Sequence, residues 1–437
     1  MPTGLTWRPD GSLIITSLKG RVWTARDTNR DGLEDDFQPF SDELAAPFGA
    51  AAIGENSVDV VNKYGLLRLT DADQDGFAES VRTLATGWGH TADYHDWAIG
   101  LPRDADGNYF VSTACQQDQR SAAAARHRGE VLKLVPNDDA TQYTLQPVSA
   151  GHRFPVGIAR NRAGQLFVTD NQGNFNPFNE LNHVQQGKRY GFINKIDRRP
   201  DFQPRLTAPA IDIPHPWTRS VNGICFLESP DGRAFGVYEG HLVGCEYDTR
   251  QLIRMSLQPV GQVIQGAAYP FTYYQPKQGP SLLGPLVCAV SPQADLYVGC
   301  IRDSGWGGSN NIGTIVKLTP DLASLPAGIA EVRATPTGFA IDFTQPVAVD
   351  RAGDLANYSV VSYTRTSTPA YGGPDQDRRQ ETIQRVQLAP TGDRVQLELE
   401  TLRAGYVYEL RLKNIAQDGG EFSPAEAFYT MRVIPEK

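Results

Sequence analysis

No stretch of this sequence stays apolar for the roughly 20 residues that a bilayer-crossing helix requires, which excludes a helical membrane span. Cysteine is scarce. The five residues Cys115, Cys225, Cys245, Cys288 and Cys300 form neither a CxxC pair of the kind that holds zinc nor a CxxCH haem-attachment motif. Cys225 with Cys245, or Cys288 with Cys300, could bridge neighbouring strands in an oxidising compartment. Positive charge is in deficit as well. A net charge of −9 argues against a nucleic-acid backbone as partner, because that binding needs clustered Lys and Arg to displace counterions. Small neutral molecules or cations fit better. A leader segment is also missing: strand-like sequence starts almost at Met1, so the protein reads either as cytoplasmic or as one whose N-terminal piece has been removed.

What the sequence has instead is turns and repetition. Forty-two Gly and 30 Pro in 437 residues mark a turn-rich protein long enough for one large repeat domain plus an appendage. Six stretches share a small apolar strand, a Gly- or Asp-containing turn and an alternating strand. They open at Gly4 (GLTWRPDGSLIITS), Gly49, Ala98, Val156 (VGIARNRAGQLFVTD), Asn222 and Leu286, at intervals of about 45 to 66 residues. That spacing suits the four-stranded blade of a six-bladed β-propeller over residues 1–322. The pattern then changes. Residues 323–437 read as alternating strands such as FAIDFTQPV and YVYELRLKNI, expected to form an immunoglobulin- or fibronectin-like β-sandwich serving as spacer, docking surface or lid. Since the first blade begins at the N-terminus, the ring is expected to close imperfectly or through residues around Ala327.

Propeller geometry assigns loops to faces. In each blade the segment before the first strand and the loop between strands two and three converge on one mouth, while the one-to-two and three-to-four loops lie opposite. Two loops of the opposite class are acidic: Asp27, Asn29, Asp31 and Asp35 around Gly32, and Asp71, Asp73, Asp75 and Glu79 around Gly76. Alternating oxygen ligands about a glycine bend suit calcium in a structural role. An EF-hand is excluded, because Gln38 and Arg82 stand at the twelfth position. Asp/Gly-rich turns without metal are the alternative.

Three segments fall at the mouth. GWGHTADYHDW places His90, Asp93, His95 and Asp96 ahead of blade three, where His95 could act as a general base oriented by a carboxylate. Histidines capping strand ends, or a His/Asp metal site, are the other readings. GHRFPVG places Arg153 ahead of blade four, with Asp170, Asn171, Gln172 and Gly173 in its two-to-three loop. Arg153 could fix a carboxylate or quinone oxygen, or serve in a surface ion pair. PHPWTRSVNG places His215, Trp217, Arg219 and Asn222 ahead of blade five, with Arg302 in the matching loop of blade six. Trp217 could stack on a sugar ring or simply pack between blades.

In GHRFPVGI, DNQG, NELNHVQQGKRYGF and HDWAIGLPRDADGN the sequence resembles the glucose/sorbosone dehydrogenase family of calcium-associated quinoprotein propellers. It resembles still more closely the propeller-plus-sandwich members of large secreted planctomycete proteins. The resemblance implies oxidation of a sugar or polyol by pyrroloquinoline quinone, with His95 taking the hydroxyl proton and Arg153 holding the quinone oxygens. It also implies that Gln172 and Gly173 offer carbonyls to a quinone-bound calcium, that Arg219 and Arg302 are further basic candidates, and that the location is extracytoplasmic. Phe154 departs from the pattern, since the quinone enzymes carry Asn there. Electrons would pass to a separate acceptor, as no haem motif is present. Two alternatives stay open: a non-catalytic carbohydrate-binding or scaffold propeller, and cofactor-free lyase or hydrolase chemistry through His90, Asp93 and His95.

Overall fold

The turns that suggested repetition do the expected work. In the one-to-two turn of blade one, Gly11 adopts φ 87°, and the Asp10 carboxylate accepts the Ser12 N–H at 2.9 Å. Gly164 (φ 87°) and Ala294 (φ 67°) hold the left-handed position in the corresponding turns of blades four and six. Each such turn reverses the backbone so that its flanking strands pair antiparallel, Gly157↔Thr169 to Arg160↔Leu166 in blade four.

The computed structural model describes residues 1–93, 95–115, 121–194, 201–215, 217–272, 282–301, 313–417 and 420–436. It is a six-bladed β-propeller followed by a β-sandwich. First strands begin at Pro2, Ala50, Ala98, Gly157, Val221 and Pro285, within a residue or two of the starts read from the sequence. They surround a narrow axial cavity of about 280 Å³, lined in turn by Thr3, Gly49, Gly100, Gly157, Gly223 and Val287. Glycine is required here by space. A Cβ at Gly157 would lie 2.2 Å from the Asn222 carbonyl oxygen, and one at Gly223 would lie 2.6 Å from that of Leu286.

Of the two closures expected from the sequence, the imperfect one is found among the described residues. Blade six has three strands among the described residues, ending with Gly313–Leu318. It meets blade one through side chains: Trp7 packs edge-on against Tyr297 at 5.2 Å, Lys317 Nζ donates to the Gly32 carbonyl at 2.8 Å, and Tyr297 donates to Glu34 at 3.0 Å. Ala327 takes no part, because it bridges to Phe422 inside the sandwich.

Neither candidate disulfide forms, and Cys225, Cys245, Cys288 and Cys300 are thiols. The register gives the reason. Cys225 faces Val243 and Cys288 faces Val298, so Cys245 and Cys300 each lie two residues along, on a diagonal of about 7–8 Å that a disulfide cannot span.

The sandwich is continuous with blade five. That blade's last strand, Val263–Pro270, pairs with Glu426–Met431 through Gly266↔Thr430 and Ala268↔Phe428. One eight-stranded sheet thus serves both parts. Phe339 and Ile341 from the facing sheet pack on Tyr408, Leu410 and Tyr429, all with no exposed surface. The Tyr408 hydroxyl bonds back to the backbone of Arg403 (2.5 Å from its nitrogen), the corner characteristic of immunoglobulin-like sandwiches. The fully buried Arg254 adds a rivet: its guanidinium lies 4.2 Å from the rings of both Tyr238 and Tyr269 and donates to the carbonyls of Ala330 (2.6 Å) and Ile329 (2.9 Å). Satisfying a buried cation in this way makes the junction specific in geometry.

Candidate active site at the propeller mouth

His95 sits just before the first strand of blade three, in a loop shaped by its own side chains. The Asp93 carboxylate accepts the His95 backbone N–H at 2.8 Å and lies 3.2 Å from the ring Nδ1. Lys63 Nζ donates to the Asp93 carbonyl at 2.6 Å, and Asp96 accepts from the Thr91 N–H and hydroxyl at 2.6 and 2.7 Å. Aromatic rings box the imidazole, with Phe154 edge-on at 5.5 Å and Trp97 at 5.9 Å. Phe48, which lines the axial cavity, backs Trp97 at 5.0 Å. Burial lowers the His95 pKa more than Asp93 raises it, and the positive charge of Arg153 lowers it further. At neutral pH the ring is therefore uncharged. With Nδ1–H directed to Asp93, Nε2 is the basic nitrogen.

Arg153 is held from both ends. The buried Asp170 carboxylate at the end of blade four's second strand accepts the backbone N–H groups of Arg153 (2.8 Å) and Phe154 (2.6 Å). The Arg153 guanidinium donates to the Gln172 carbonyl at 3.1 Å and lies 5.4 Å from the Tyr371 ring. Blade five repeats the device: Glu246 accepts the N–H groups of Arg219 (2.7 Å) and Ser220 (2.5 Å). In blade four the carboxylate belongs to a row, with Asp170 opposite Glu180 and Glu180 opposite Asp212. Burial pushes Asp170 up to about 6 and Glu180 well above its ordinary value. Arg432 of the sandwich pairs with Asp212 at 2.8 Å.

The remaining candidates divide. Asn171 joins the mouth: its Nδ2 donates to Ser220 at 3.1 Å, and its buried Oδ1 has no hydrogen-bond partner among the described residues. His90 stands at the rim, edge-on to Tyr64 at 4.7 Å. Trp217 is stacked on Phe428 of the sandwich at 4.5 Å, so its ring is used in packing between parts. Arg219 pairs with Asp248 at 3.0 Å and is mostly exposed. His215 lends its carbonyl to Arg365, and Asn222 folds back on Ser220. Arg302 lies outside the described residues, as does Tyr94. Sequence reading missed the Phe48, Trp97 and Phe154 box as a unit, as well as Tyr371, which arrives from the sandwich more than 200 positions further on.

The quinone implied by the resemblance can be tested against this donor set. Arg153 suits its anionic oxygens, Asn171 Oδ1 is a buried acceptor in need of a donor, and uncharged His95 suits a hydroxyl proton. The Gln172 and Gly173 carbonyls accept from Arg153 (3.1 Å) and from the Gly372 N–H (3.0 Å). Each keeps a second lone pair for a cation. The set fits the group.

The acidic loops lie on the opposite face. Asp71, Asp73 and Glu79 bring carboxylate oxygens within 4.8 Å of one another. Asp71 is buried and its Oδ1 has no hydrogen-bond partner among the described residues. Carboxylates of both loops also cap the backbone: Asp27 accepts the Arg30 and Gly32 N–H groups and Asp35 that of Thr28, as Asp71 accepts that of Gly76 and Glu79 that of Ala72. Among the described residues no three carboxylates of the first loop converge.

Fold and site together define a six-bladed propeller with a polar mouth, fused through its fifth blade to an immunoglobulin-like sandwich. Within that class the protein belongs to the family described as a domain of unknown function, DUF7133, whose match spans residues 8–263. No curated protein matches the sequence. Solved structures share the fold at low identity. An oxidoreductase from Thermus thermophilus, described as a glucose dehydrogenase, is 18% identical with TM-score 0.54, covering 72% of this protein and 96% of its own length. The PQQ-bound aldose sugar dehydrogenase of Streptomyces coelicolor is 15% identical with TM-score 0.53, covering 73% and 93%. The PQQ domain of Coprinopsis cinerea pyranose dehydrogenase is 11% identical with TM-score 0.51, covering 73% and 92%.

Proposed function

We propose that the protein is an oxidoreductase acting on a sugar or polyol at the propeller mouth, with pyrroloquinoline quinone as its cofactor and a separate electron acceptor. The observation that carries this reading is the desolvated, uncharged His95 oriented by Asp93 and electrostatically coupled to Arg153 across two successive blades. His95 Nε2 takes the proton of a substrate hydroxyl. Asp93 stabilises the imidazolium so formed, and the Phe154–Trp97–Phe48 box excludes water from it. Arg153 and Asn171 orient the cofactor. When bound, the quinone supplies the two-electron acceptor for the C–H bond being oxidised. A calcium ion held by Asp71, Asp73 and Glu79 serves stability on the far face, and an extracytoplasmic location fits both ligands.

Phe154, packed on His95, favours a second reading in which the mouth binds carbohydrate without oxidising it. One experiment separates the two. Purified protein is titrated with the quinone plus calcium, followed by absorbance, and then assayed for dye reduction over a panel of sugars and polyols. A spectral change with reduction that is lost in His95→Ala supports the oxidoreductase. Sugar binding with no spectral change and no reduction leaves the binding module.

A further inference from the structure

The sandwich does more than abut blade five. A strap between its strands Tyr358–Thr364 and Gln376–Gln380 crosses to the mouth and is pinned along the two-to-three loop of blade four. The Phe175 N–H donates to the Thr368 carbonyl (2.8 Å) and the Gly372 N–H to the Gly173 carbonyl (3.0 Å). Asn174 Nδ2 donates to the Pro369 carbonyl (2.7 Å), and the Ser367 hydroxyl to the Phe175 carbonyl (2.7 Å). At the strap's root Arg365 pairs with Asp375 at 2.8 Å and donates to the carbonyls of His215 (2.6 Å) and Pro177 (3.2 Å).

This fastening presents one ring. Tyr371 lies 5.4 Å from the Arg153 guanidinium, yet keeps 65% of its surface exposed. A cation lies against the ring while most of its surface faces solvent, on a backbone already ordered, so little entropy remains to be lost on binding. The electron-rich face of such a ring attracts the weakly positive C–H face of a pyranose or an extended polyol.

We propose that Tyr371 is the stacking platform for the sugar or polyol at the mouth, making the sandwich a contributor to substrate recognition. The inference rests on the reading that the mouth takes carbohydrate, in either of its two forms. It is tested by saturation-transfer NMR with glucose, xylose and sorbitol as probes, on wild type, Tyr371→Ala and Tyr371→Phe. The expected result is transfer to the carbon-bound protons of the probe in wild type and in Tyr371→Phe, with about tenfold weaker binding in Tyr371→Ala, equivalent to about 1.4 kcal/mol. Rescue by phenylalanine separates stacking from loss of fold, and a thermal melt matching wild type accompanies it. Undiminished transfer in Tyr371→Ala overturns the platform and leaves the carbohydrate reading standing. Absence of transfer to wild type for all three probes overturns both.

Discussion

Replacing Gly173 by alanine adds one methyl group to the mouth and no charge. The backbone there is outside the left-handed region, so alanine is conformationally acceptable and the effect is purely steric. The new Cβ would stand 2.1 Å from both Cζ and Nε of Arg153 and 2.7 Å from its Cδ. Carbon contacts settle near 3.5 Å, so the guanidinium must retreat by about 1.4 Å. It then leaves the Gln172 carbonyl. A buried bond from a charged donor contributes about 2 kcal/mol. Against an unfolding entropy of about 0.9 kcal/mol/K for 437 residues, that lowers Tm by about 2 °C in a cooperative transition. The more telling readout is His95. Arg153 helps hold the His95 pKa down, so its retreat must raise that pKa. Histidine Cε1–H NMR titration follows the shift, with seven histidines in the protein and His95→Gln for assignment. An unchanged His95 midpoint together with an unchanged Tm would refute the coupling of the two residues that underlies the proposed chemistry.

Two further outcomes follow from the same geometry. Asp93 raises the His95 pKa against the effect of burial; in Asp93→Asn the midpoint therefore moves lower, extending proton acceptance to more acid pH while the maximal rate falls, and an upward shift would contradict the assignment. Calcium at about 100 times its dissociation constant should stabilise the protein by about 2.7 kcal/mol, or ~3 °C in Tm. The shift should vanish in Asp71→Asn and survive in Asp27→Asn; its survival in Asp71→Asn would place the ion elsewhere.

Much of the architecture was legible because blades are local objects. Leu13–Ser17 is a short run of buried residues, Pro9–Asp10–Gly11 turns the backbone ahead of it, and a strand–turn–strand unit of this kind returns in each blade with Gly, Asp or Asn in most of the turns. The corners that carry His95 and Arg153 follow from strand order, since alternation of direction dictates which loops face the mouth. Residues whose roles depend on distant partners were not legible. Trp217 beside a proline reads equally as a sugar platform or as packing, and only the stack on Phe428 decides for packing. Cys225 and Cys245 read as a bridge, yet the register sets them on a diagonal. The two acidic loops read alike, and in both the carboxylates accept the turn's own N–H groups, yet among the described residues only the second gathers three carboxylates.

By itself the sequence determined the periodic part: six hairpin-rich units, their turns and the polar corners ahead of first strands. All of these depend on residues within a few positions of one another, where alternation, turn chemistry and the size of a side chain decide the outcome. Tertiary structure alone decided which distant surfaces meet. It merged the sandwich with blade five through the pairing of Ala268 with Phe428, buried Arg254 at that junction, and carried Tyr371 over Arg153. Such contacts follow from the shape and polarity of surfaces that exist only after the blades have closed into a ring, and no local pattern encodes them.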